Sequence, residues 1–154
     1  MIWLRTMASQ ARLILHYLAG NKPSVVAALI ERDGKVLIAK RRKGQRLGGR
    51  WEFPGGKREP GETPEECLRR ELREEFGVEA HVQGHFLTSP FTYRCVPIDL
   101  LVYRAACPPG RFDLKEHDEV AWVSPIDLGK YDLVDADRAV VEKIIAEASL
   151  PQED

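Results

Sequence analysis

The chain has 154 residues, a length that fits one domain with its own core. Charged residues are 31% and apolar ones 44%, and a formal net charge of −1 supplies no field to draw it to nucleic acid or an anionic membrane, so no stable nucleic-acid or membrane partner is expected. The three cysteines, Cys67, Cys95 and Cys107, are scattered and form no CxxC pair, which points to free thiols in a reducing, cytoplasmic setting; no apolar run is long enough to span a bilayer.

Residues 1–22 read as an N-terminal extension, either a helix or a partly ordered tail. Leu4, Ala8, Ala11, Leu15 and Leu18 can share one helical face that ends near Gly20. Arg5, Arg12 and His16 interrupt any signal-peptide core, and a second Met at position 7 leaves the start open. The main domain is expected over 23–150, with a short tail at 151–154.

Residues 24–30 are small, branched and apolar, the composition of a buried strand, and Asp33-Gly34 is a hairpin turn into a second strand at 36–39. The basic run Lys40-Arg41-Arg42-Lys43 follows, with Gly44 and Gly48-Gly49 behind it. It is either a solvated loop or a cluster facing phosphates at a pocket mouth.

The next element is a helix over Pro64–Phe76. Thr63 is its N-cap, Pro64 sits where a missing N–H costs nothing, Glu66 completes a capping box and Gly77 is the stop. Leu68, Leu72 and Phe76 recur every fourth residue as an apolar stripe. Glu71, Glu74 and Glu75 gather on another face, where like charges repel by on the order of 1 kcal/mol per contact even in water. Arg69, Arg70 and Arg73 could neutralise them as ordinary surface pairs. The sharper reading is a divalent-cation site, since clustered oxygens suit Mg²⁺ or Mn²⁺. Cys67 has no nearby thiol or imidazole partner and suggests no thiolate site.

Beyond the helix, strands are expected at 79–88, 98–106 and 120–123, with residues 91–94 starting a loop or edge. A helical turn at 126–128 precedes a last helix at 136–148, with Asp135 as N-cap and Val140, Val141, Ile144 and Ile145 as its apolar face. Strands on both sides of one helix, then a closing helix, imply a mixed sheet between helices.

Gly55-Gly56 lets backbone approach a ligand closely. Gly56 is followed by five residues and Glu62, and then by seven residues leading to Arg70-Glu71-Leu72-Arg73-Glu74-Glu75-Phe76-Gly77-Val78. This pattern resembles the Nudix box at every fixed position. The resemblance covers residues 24–148 and implies the Nudix α/β/α sandwich with a mixed central sheet. It also implies hydrolysis of a phosphoanhydride in a nucleoside diphosphate linked to another group, assisted by Mg²⁺ or Mn²⁺.

By that resemblance Glu71, Glu74 and Glu75 hold metal, the Gly56 carbonyl adds an oxygen, Arg70 orients a glutamate, and Glu74 or Glu75 acts on the attacking water. The flanks Trp51 to Lys57 and Gly61 to Glu65 resemble the MutT-type nucleoside triphosphate pyrophosphohydrolases. On that branch Glu116 matches a further metal-side glutamate, Arg41 and Arg94 match arginines at the nucleotide, and Asp137 matches a base-reading Asn or Asp. Phe53 either lines the base pocket or fills the core. The implied substrate is a (deoxy)nucleoside triphosphate of the 8-oxo-dGTP, CTP or methylated dCTP kind. Alternatives are a dinucleoside polyphosphate hydrolase, for which Tyr93 is a hint, an ADP-sugar hydrolase, or a binding module without catalysis. The oligomeric state is open.

Overall fold

Strand β1 (Ser24–Arg32) is the axis of the molecule, a computed structural model that describes residues 7–151. Seven successive residues of β1, from Ser24 to Ile30, are buried. That run lacks alternation because the strand is covered on both faces. Val25, Ala27 and Leu29 face one core, with Leu13, Val140 and Ile144 from helices α1 (Met7–Leu18) and α3 (Arg138–Ala148). Val26, Ala28 and Ile30 face the other, with Cys67, Leu68, Leu72 and Phe76 of helix α2 (Pro64–Phe76).

The sheet is mixed and seven-stranded. Strands β3 (Trp51–Glu52), β2 (Lys35–Arg41), β1, β6 (Val96–Ala106) and β5 (His81–Tyr93) lie in that order; β4 (Gly55–Lys57) also pairs with β1, and β7 (His117–Val123) with β2. β1 and β6 are parallel, running from Ser24 opposite Asp99 to Ile30 opposite Ala105; the other pairings are antiparallel. The β1–β2 turn has Asp33 and Gly34 both at positive φ, the geometry a two-residue hairpin needs. The architecture is the α/β/α sandwich expected from the element order. Among the described residues no helix is long and apolar enough to cross a membrane.

The outcome differs from the sequence expectations in several places. On α1 the buried residue is Leu13, while Ala11, Leu15 and Leu18 are exposed; Leu4 and the Ala8 side chain lie outside what is described. Apolar side chains occur all round this helix, so periodicity picks out no single face. β5 continues to Tyr93 instead of ending at Thr88, so of the two readings of 91–94, loop or edge, the edge holds up to Tyr93, and a tight turn follows. Pro90 does not interrupt β5, an edge strand, where proline costs no ladder bond on its open side. The turn itself uses Arg94 and Cys95 at positive φ, without the glycine that signals such hairpins.

Asp135 does not cap the last helix. It opens a 3-10 turn, Asp135–Asp137, and its carboxylate accepts from Arg50 at 3.3 Å; α3 begins only at Arg138. β3 and β4 were not expected, being too short to carry a period.

Candidate active site

Helix α2 forms as its local chemistry dictates. The Thr63 hydroxyl accepts from the Glu66 N–H at 3.1 Å and the Glu66 carboxylate from the Thr63 N–H at 2.8 Å; Gly77 ends the helix at φ 66°. Burying the Leu68, Leu72 and Phe76 stripe rolls Glu71 and Glu75 inward, to 8% and 9% exposure, whereas the Glu74 side chain keeps 60%. β4 lies over them. A Cβ on Gly56 would sit 2.2 Å from the Glu71 carboxyl carbon, so a larger residue there would displace that carboxylate from where it lies. The Gly56 carbonyl accepts from the Cys67 thiol at 3.8 Å.

Arg70 clamps this corner. It donates to Glu62 at 2.6 and 3.0 Å, to Glu71 at 2.9 Å, to Glu74 at 3.4 Å and to the Lys57 carbonyl at 3.1 Å. The other arginines do not neutralise the cluster: Arg73 pairs with Glu79 at 2.6 Å, and Arg69 is exposed.

Burial therefore sets the electrostatics. Glu75 is pushed up to about 9, first by desolvation and then by Glu71, Glu52 and Glu116. Glu71 is also raised, again by burial first, against the pull of Arg70. Glu75 Oε2 is buried without a hydrogen-bond partner. Acids raised first by burial, with a bare oxygen among them, form a donor set chemically suited to a hard divalent cation. Among the described residues, however, no three His, Cys, Asp or Glu side chains converge closely enough to form a metal shell.

A second network went unseen in the sequence. Arg41 is 1% exposed; it donates to both oxygens of Glu52 at 3.3 and 3.1 Å and to the Arg46 carbonyl at 2.8 Å. His117 Nε2 lies 3.0 Å from Glu52, and its ring stacks on Phe76 at 5.0 Å. Arg41 and Glu52 stand on neighbouring β2 and β3 while His117 arrives on β7, so no local pattern could announce the group. The rest of the basic run is tied along β7: Arg42 donates to the Lys115 carbonyl at 2.7 Å, and Lys40 lies 3.6 Å from Glu119.

Beside this network is a cleft of about 200 Å³ lined by Arg41, Arg46, Leu47, Arg50, Phe91 and Tyr93, closed by 134–136. Arg46 bonds the Tyr93 hydroxyl and lies over its ring at 4.6 Å. Arg94 stands at the tip of the β5–β6 hairpin, 5.8 Å from the Tyr93 ring, and does not line the cleft. Phe53 is 4% exposed in the core, and its N–H donates to Asp137 at 3.0 Å. Asp137 is 5% exposed, and burial pushes its carboxyl up to about 8. Glu116 accepts from Gln45 at 3.4 Å and is near enough to raise Glu75.

Fold and site together define an α/β/α hydrolase class in which a glutamate-rich helix lies under a Gly-Gly strand. The NUDIX domain profile matches residues 20–144, and the chain belongs to that family. It is 39% identical over 122 residues to an Escherichia coli K12 protein named CTP pyrophosphohydrolase, covering 79% of this chain and 90% of that one. It is 37% identical over 116 residues to a Mycobacterium tuberculosis protein named putative 8-oxo-dGTP diphosphatase 2, covering 74% and 82%. The solution structure of the E. coli ORF135 protein superposes with a TM-score of 0.74 at 37% identity, over 86% of this chain and 95% of that one. The MutT protein of Methanosarcina mazei Go1 superposes with 0.73 at 29% identity, over 84% and 98%. The chain is thus a Nudix hydrolase with MutT-like relatives.

Proposed function

We propose that the chain hydrolyses a (deoxy)nucleoside triphosphate to the monophosphate and pyrophosphate with Mg²⁺ or Mn²⁺. The observation that carries this reading is the pair Glu71 and Glu75, buried under Gly56 with one glutamate oxygen unpartnered. Nudix hydrolases generally use a divalent cation, and Glu71, Glu74 and Glu75, with Glu116 and the Gly56 carbonyl, are the donors that would hold it here. When bound, the cation supplies charge neutralisation at the phosphates and acidification of the attacking water.

The chain's own groups do the rest. Arg70 fixes the Glu71 carboxylate by a charge-assisted bond at 2.9 Å. Glu74, at the solvent edge, or Glu75, inside and a base only once its own raised carboxyl has lost its proton, positions the water and takes its proton. In the cleft, Arg46 offers positive charge, with Arg94 at the nearby hairpin tip, while Arg41, paired with Glu52, forms the wall behind it. Asp137, with a carboxyl near 8, is mostly protonated at neutral pH. It can accept from the Phe53 N–H through one oxygen and exchange hydrogen bonds with a base through the other. Phe53 packs against that position.

The names of the relatives favour CTP, a modified dCTP or 8-oxo-dGTP as substrate. A nucleotide panel with Mg²⁺ and with Mn²⁺, scored for released pyrophosphate, tests this. Turnover of one of these triphosphates is expected; cleavage of ADP-ribose or dinucleoside polyphosphates alone overturns it.

A further inference from the structure

A cavity of about 760 Å³ shares no lining residue with the cleft described above. Three segments build it: α1 with Arg12 and His16, the start of β1 and its lead with Ser24 and Lys22, and the end of β4 and the loop after it with Lys57 and Arg58. Arg12, Leu15 and His16 precede the stretch matched to the family, so this part of the wall belongs to the extension.

Its charge is unbalanced. Lys22 is neutralised by Asp99 at 2.8 Å, and Glu62 at the rim is held by Arg70 at 2.6 Å. Arg12, Lys57 and Arg58 then face one further carboxylate, Glu59. Among the described residues none of these three cations ends in a salt bridge, and Arg12 stands close enough to Lys57 to press its ammonium below its ordinary value, an effect second only to burial. A polar group also waits there: Ser24 is 8% exposed, and its hydroxyl oxygen is buried without a hydrogen-bond partner.

We propose that this cavity is a second anion site, outside the nucleotide cleft and adjoining the Arg70 corner through Lys57 and Glu62, that takes a phosphorylated small molecule between Arg12, Lys57 and Arg58. The guanidinium forks match the oxygens of a phosphate, Lys57 supplies a compact charge, and the Ser24 hydroxyl supplies one donor. A single phosphate ion would leave most of the volume empty, whereas pyrophosphate or a nucleoside monophosphate is of fitting size. The proposal does not depend on which nucleotide is hydrolysed.

Isothermal titration of the full chain in EDTA, which keeps the acidic catalytic cluster from binding phosphate through a metal, tests it. Pyrophosphate and CMP are titrated separately, and the tighter of the two names the source of the phosphate. At least one is expected to bind at a single site. Arg12→Ala/Arg58→Ala should weaken that binding by about tenfold or more, and Arg12→Lys/Arg58→Lys should restore most of it, because the charge returns. Both double variants should keep the wild-type melting temperature and the turnover of the metal-loaded enzyme. No heat from either ligand at millimolar concentration, or undiminished affinity in the alanine variant, overturns the proposal.

Discussion

Glu71 and Glu75 carry a heavy electrostatic cost, since each is nearly excluded from water and Glu71 raises Glu75 further. Such a cost is retained where it serves chemistry. Glu74→Gln or Glu75→Gln is therefore expected to lower kcat by about 10²- to 10⁴-fold while the circular dichroism spectrum stays unchanged; a rate near wild type removes these residues from the mechanism. Asp137 gives a prediction in pH. Its carboxyl titrates near 8 when folded and near ~3.9 when unfolded, so the folded state holds the proton more tightly. The stability from this group is full below the unfolded value and is lost as pH rises through about 8. The melting temperature should fall over that window, and Asp137→Asn, which keeps the acceptor for Phe53, should flatten the fall. An unchanged slope in that variant would show that Asp137 is not the cause.

At the scale of elements, α2 begins and ends where its own residues say, because a capping box and a glycine stop act within one turn. Thr63→Ala removes one acceptor and frees one donor, an expected loss of about 1 kcal/mol, read as a drop of roughly 2–4 °C in melting temperature. β4 is held by a different constraint. A Cβ on Gly55 would meet the Val26 carbonyl oxygen at 2.0 Å, in backbone that cannot yield without breaking the β1–β4 pairing. Gly55→Ala should cost about 3 kcal/mol in a denaturant titration, at the upper end for overpacking; a loss under a few tenths would show that the strand shifts freely. Strand ends were less legible than helix ends. Pro90 and the glycine-free Arg94-Cys95 turn follow rules for sheet edges and hairpins that apply only once the partner strand is known.

Across the whole molecule, the N-terminal helix belongs to the packed structure. Leu13 is 1% exposed and joins the core formed by β1, β6 and α3. Leu13→Ala is expected to destabilise the chain by about 2 kcal/mol, the low end for such a truncation because α1 is held on one side only. A variant as stable as the parent would mean that α1 contributes no core. What the sequence by itself determined was local or strictly spaced: the β1–β2 hairpin, the bounds of α2, the stripe of Leu68, Leu72 and Phe76, and the box that marks a Nudix hydrolase. Those features rest on contacts within a few residues, or on a spacing that chemistry keeps constant. Tertiary structure alone decided which glutamates are buried, that Arg41 and His117 both converge on Glu52, that Leu13 is the inward residue of α1, and that a basic cavity opens between α1 and the loop after β4. Each depends on burial and charge contributed by segments far apart in the chain, and that information exists only once the sheet has brought them together.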